Sequence, residues 1–150
     1  MISLVLVCIV RKIIREWLEW ILYKDCDYES YRLYQEKIMK MKRYRNNVGV
    51  HLASFNTYLV LGCYDECPKE IDELDRLSSR MSGKQAVTYG LLKVDYLLET
   101  SNSYSDLAKE IGQIDEAFHK LKKISKNEKV TIQKGIMTRT YLADVICCEL

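Results

Sequence analysis

An all-α fold built of antiparallel helical hairpins is what this sequence predicts. Apolar residues recur at three- and four-residue spacing through nearly the whole chain. No stretch alternates apolar and polar residues between hairpin turns, so no strand is expected. The breaks between the helical stretches are short, and short connections force consecutive helices antiparallel. Composition agrees: a chain of 150 residues, 48% of them hydrophobic, suits one domain with a real core. That excludes a disordered or low-complexity chain. With 23 Lys+Arg against 21 Asp+Glu the formal net charge is only +2, which argues against a dedicated nucleic-acid binder.

Seven helical segments are predicted. The first spans about 2–24 and opens with the apolar run from Ile2 to Val10. Arg11 and Lys12 follow that run instead of preceding it, and no small-residue cleavage site appears, so a cleavable export signal is not expected. Lys12, Arg15, Glu16 and Glu19 form one polar stripe, and Trp17, Leu18, Trp20, Ile21 and Leu22 lie largely off it. The run falls well short of the roughly 20 apolar residues of a membrane span. Two readings stand side by side: a terminal helix packed on the next one, or an amphipathic helix lying on a membrane surface. The expected organisation is therefore 1–24, this N-terminal helix, and 25–150, the remaining helices.

The second segment, about 28–45, carries Tyr31, Tyr34, Ile38 and Met41. The third, about 47–61, carries Leu52, Phe55 and Leu59. The fourth, about 67–81, has Ile71, Leu74, Leu77 and Met81, and Pro68 suits its first turn. The fifth, about 84–99, has Val87, Leu91, Val94 and Leu98. The sixth, about 105–124, has Leu107, Ile111, Ile114, Phe118 and Leu121, with Ser103 or Ser105 available as its cap. The seventh, about 129–148, has Ile132, Ile136, Thr140, Ala143 and Cys147. Between them lie turn-forming stretches such as Asn46-Asn47, Gly62-Cys63-Tyr64-Asp65 and Ser82-Gly83.

Cysteines at 8, 26, 63, 67, 147 and 148 form no regular framework, so reduced thiols in the cytoplasm are expected. Cys63 and Cys67, with His51 near in sequence, make one loose couple where a metal site wants paired ones. No metal and no cofactor are predicted. Cys67 precedes Pro68 at a helix start, where a thiol pKa can fall, yet a small buried residue is the plainer reading.

Three breaks share one form: Cys26-Asp27-Tyr28-Glu29-Ser30, Gly62-Cys63-Tyr64-Asp65-Glu66-Cys67, and Asn102-Ser103-Tyr104-Ser105-Asp106-Leu107. Each places a tyrosine in the turn, then acidic or small polar residues, then a new amphipathic helix. At these residues the chain resembles tetratricopeptide repeats, whose unit is a helix pair of about 34 residues. Cys67 stands in place of the usual small alanine, His51 and Leu91 replace the aromatic early in each first helix, and the proline after each second helix is absent. The resemblance covers roughly 15–148. It implies a short right-handed α-solenoid of about seven helices, acting as a protein–protein interaction module with a peptide or partner on its concave side. In that family the first helix of each pair lines the groove, which points here to Asn56, Leu59, Tyr89, Tyr96 and Arg139.

No catalytic set is found. The six glycines are scattered and cradle no phosphate, and the two histidines, His51 and His119, belong to no hydrolase or metalloprotease signature. Asp72, Glu73 and Asp75 interleave with Ile71 and Leu74 as a solvated helix face. Lys37, Lys40, Lys42, Arg43 and Arg45 crowd one helix end, where the macrodipole favours cations; an anionic lipid surface or an acidic partner is the other use for them. The second functional reading follows: a membrane-surface protein held by residues 2–24 with its repeats in the cytoplasm, at the inner face of a membrane. The unpartnered last helix would also suit a homo-oligomer.

Overall fold

Every regular element among the described residues is helical, as the apolar spacing requires. The structure is a computed structural model that describes residues 27–42, 44–101 and 103–148. The predicted helix over 2–24, Cys8, Cys26 and Arg43 lie outside the described residues. The helices are α1 (Tyr28–Met39), α2 (Val48–Val60), α3 (Cys67–Arg76), α4 (Gly83–Thr100), α5 (Tyr104–His119) and α6 (Lys126–Cys148). Short 3-10 turns at Tyr64–Glu66 and Ser78–Arg80 flank α3. Among the described residues no helix is long and apolar enough to cross a membrane.

The chain divides into two compact units, Met1–Arg45 and Asn46–Leu150. In the first, Asp27 caps α1 by accepting the Ser30 N–H at 3.0 Å, and the Ser30 hydroxyl together with that N–H holds its carboxyl below the usual range. Arg32 bridges Glu29 and Glu36, each at 2.5 Å, along one side of the helix. Tyr31, Gln35 and Ile38 are buried at 4-3 spacing on another. Helix α1 stops at Met39, short of the predicted 45. Continuing it to 45 would bring Lys42 and Arg45 to like-charge i,i+3 positions. Lys37, Lys40, Lys42 and Arg45 are exposed around that stop.

The second unit begins with the Asn47 side chain accepting the Val50 N–H at the start of α2. Gly62 ends α2 in the left-handed region at φ 68°. Its N–H bonds Leu59 O and the next N–H, from Cys63, bonds Tyr58 O, the paired closure that a glycine one step past a helix permits. Pro68 starts α3, where no N–H partner is needed. Ser82 and Gln85 cap α4 reciprocally. Ser125 and Glu128 do the same for α6: each backbone N–H meets the other's side chain, at 3.0 and 3.3 Å. Lys84 of α4 adds a 2.6 Å ion pair to Glu128, and these partners draw the Glu128 pKa down to about 2. Ser103 stands at the cap position of α5, but its hydroxyl turns to Ser105 at 3.0 Å instead.

Two apolar clusters fill the unit. The first joins Val48, Leu52, Phe55 and Tyr58 of α2 to Cys67, Leu74 and Leu77, and to Tyr89 and Leu92 of α4. The second joins Val87 and Val94 of α4 to Leu107, Ile114 and Phe118 of α5 and Ala143 of α6. Helix α4 thus serves both, packing against α2 and α3 on one side and α5 and α6 on the other. Within this unit, consecutive helices pack together, and α2, α4 and α6 also pack in series, α4 in the middle.

A side chain of α5 packs directly on the α4 backbone at Gly90. A Cβ at Gly90 would lie 2.5 Å from Cγ1 of Ile114, itself buried. Gly90→Ala is therefore expected to cost about 1–2 kcal/mol, the strain of overpacking exceeding the gain in helix propensity. Gly112→Ala, where a Cβ meets nothing within 4 Å, is expected to stabilise by about 0.5–1 kcal/mol. Urea denaturation of both variants checks the pair; equal effects would remove the close-packing account.

Candidate functional site

The last turns of α2 and α4, the turn after α2, and one position of α6 enclose a groove of about 380 Å³. Asn56, Leu59 and Val60 come from α2, Tyr64 from the turn, Asp95, Leu98 and Glu99 from α4, and Leu142 from α6. Leu59 and Leu98 are half-buried, while Val60 is 51% and Leu142 42% exposed. The floor is apolar and polar atoms are few, the usual make-up of a recognition cleft.

The closure at Gly62 positions Tyr64. Tyr64, two residues on, lines the groove and packs against the first cluster, with its hydroxyl near Glu99. Desolvation and the neighbouring Glu99 carboxylate push the Tyr64 hydroxyl above the ordinary phenol range. Asp95 is fixed by Arg139 of α6. The Arg139 guanidinium donates to Asp95 Oδ2 at 2.5 Å, to Leu91 O at 3.2 Å and to Gly135 O at 3.1 Å. It therefore ties α6 to α4 beside the groove and neutralises Asp95. Glu99 is exposed and has no ion pair among the described residues.

Of the five residues expected at a partner surface, Asn56 and Leu59 line the groove. Arg139 lies behind it, holding Asp95. Tyr96 is half-buried and packs edge-on against Phe55, ring centroids 6.4 Å apart. Tyr89 is buried at the contact of α4 with α3, where its hydroxyl donates to Asp75 Oδ1 at 2.7 Å and approaches Ile71 O at 3.3 Å. Burial and the Asp75 bond raise its pKa strongly. Val60, Tyr64, Asp95, Leu98, Glu99 and Leu142 complete the groove and were not singled out as binding residues from sequence. Tyr64 and Leu98 drew attention only as a repeat-turn residue and a core stripe, and nothing in the spacing marks Asp95 or Glu99.

A second polar feature is internal. His51 of α2 and Glu70 of α3 are 3% and 1% exposed, and His51 Nδ1 meets Glu70 Oε2 at 2.7 Å. Cys67, one turn before Glu70, is buried with its thiol directed at Cys63 O, 3.7 Å away. Burial first, then the neighbouring Cys63, Glu70 and Glu66, push its pKa up to about 11, which makes it an inert packed thiol. No group of three metal-ligating side chains occurs among the described residues. The other acids of α3 face solvent or neighbours: Glu73 pairs with Arg76 at 2.6 Å, and Asp75 accepts from Tyr89. His119 is exposed and pairs with Asp115 at 3.4 Å. No protein-family model, no curated protein and no solved structure matches the chain.

Proposed function

We propose that the chain is a short right-handed helical-repeat module of the tetratricopeptide type, and that it binds a peptide segment of a protein partner in the groove between α2, α4 and α6. The observation that carries this reading is the groove itself. Apolar side chains that a closed core would cover stand open at Val60 and Leu142, beside half-buried Leu59 and Leu98. Two features support the repeat assignment. The first helix of each pair packs on the first helix of the next, α2 on α4 and α4 on α6. The Gly62-Cys63-Tyr64-Asp65-Glu66-Cys67 turn joins a helix to its antiparallel partner through a left-handed glycine. Each hairpin alone leaves an apolar face bare, which is the physical reason for stacking.

The test is site-specific photo-crosslinking in cells, with the reactive group placed at Val60, at Leu142, or at Lys109 on the exposed side of α5. The same crosslinked polypeptide is expected from Val60 and Leu142 and not from Lys109. Equal capture from all three positions, or none from the groove, overturns the reading.

A further inference from the structure

The groove has a charge that restricts what fits it. Both acidic lining residues, Asp95 and Glu99, come from the end of α4, and among the described residues no basic side chain lines the groove. Asp95 is already neutralised from behind by Arg139, and Glu99 is not. The last turns of α2 and α4 lie side by side here, and neither carries a basic residue. Two helix C-termini, each the negative pole of its macrodipole, therefore add to the Glu99 carboxylate. The adjoining turn contributes exposed Asp65 and Glu66. The Tyr64 hydroxyl stands beside Glu99, a further oxygen able to accept from an ammonium or guanidinium group. Only the apolar floor, Leu59, Val60, Leu98 and Leu142, is without this bias.

We infer that the occupant is a peptide segment in which a lysine or arginine is flanked by apolar side chains, with the cation seated at Glu99 and the α2 and α4 C-termini and the apolar residues on the Leu59–Leu142 floor. This rests on the groove being the partner site. It deepens that reading by naming the chemistry: acidic and phosphorylated segments are repelled, and a purely apolar segment leaves the Glu99 charge unmatched.

The test selects binders from a displayed random-peptide library on the full chain, then measures affinities of synthetic peptides. Enrichment of Lys or Arg next to Leu, Ile or Phe is expected. Glu99→Lys, an exposed substitution, should weaken the selected peptide roughly tenfold, since a weak attraction becomes a repulsion of similar size. Replacing the peptide's cation by glutamate should restore binding to that variant and to no other. Peptides that bind, lose affinity on Val60→Asn, but show no cationic preference and no response to Glu99→Lys overturn the charge assignment and leave the groove reading standing. Recovery of no binding peptide, or of peptides indifferent to Val60→Asn, overturns both.

Discussion

His51→Ala is expected to destabilise the protein by about 3–5 kcal/mol, and Glu70→Ala by a similar amount. Each removes one member of a pair whose side chains are 4% and 2% exposed. The survivor stays in the core with its cross-helix pair broken. The pair itself is a different matter, because removing two polar groups from water offsets most of what they gain from one another. His51→Leu combined with Glu70→Leu is therefore expected to come within about 1 kcal/mol of the parent, or above it. A domain of this size has roughly 5–15 kcal/mol to lose, so the single variants will sit near unfolding at moderate urea. Denaturation curves for the two alanine variants and the double leucine variant decide the point. Single substitutions costing under 1 kcal/mol would show that the pair is not held in the core as drawn.

That pair also shows where sequence reading stops. The stripe Ile71, Leu74, Leu77 marks the inner side of α3, and Leu74 and Leu77 are buried as its spacing requires. Glu70 lies one turn before Leu74 on the same side, yet a glutamate among Asp72, Glu73 and Asp75 looks like one more solvated acid. Its burial becomes visible only when His51, three and four residues from Ser54 and Phe55 in α2, is set opposite it. The all-helical class, the turn at Gly62 and the positions of five of the helix breaks were legible, because periodicity and turn chemistry are local. Helix α4 was half legible. Its stripe Val87, Leu91, Val94, Leu98 belongs to the second cluster, while Tyr89 and Leu92 on the other side belong to the first. A central helix buried from two sides needs two stripes, and a search for one apolar side finds the stronger and assigns the other to solvent or to a partner. The expectation of Tyr89 at a partner surface has a different source, the repeat resemblance, which assigns the first helix of each pair to the groove. The groove was legible at Asn56 and Leu59 and not at Asp95, Glu99 or Leu142, whose meeting depends on how α2, α4 and α6 stack.

Phe55→Ala is the other large expected loss, again about 3–5 kcal/mol, and it separates the core from the groove. Phe55 is fully buried at the centre of the first cluster. Its ring lies 6.4 Å from both Tyr89 and Tyr96, centroid to centroid, tilted against one and edge-on to the other. Truncation removes apolar contact and two aromatic pairs at once, and the space left cannot close easily. Leu52 and Tyr58 on either side of it already pack in the same cluster, and Tyr89 is fixed by its bond to Asp75. For a chain of 150 residues the loss corresponds to a fall in melting temperature of about 10 °C. Phe55→Leu keeps most of the volume and should cost well under half as much. The groove residues behave differently: Val60→Asn alters a side chain that is 51% exposed, so its melting temperature should stay within about 2 °C of the parent. Measured together, these variants divide stability from recognition. If Val60→Asn lowers the melting temperature as far as Phe55→Ala, the groove wall is part of the core, and loss of partner binding in that variant would report unfolding instead of a lost contact.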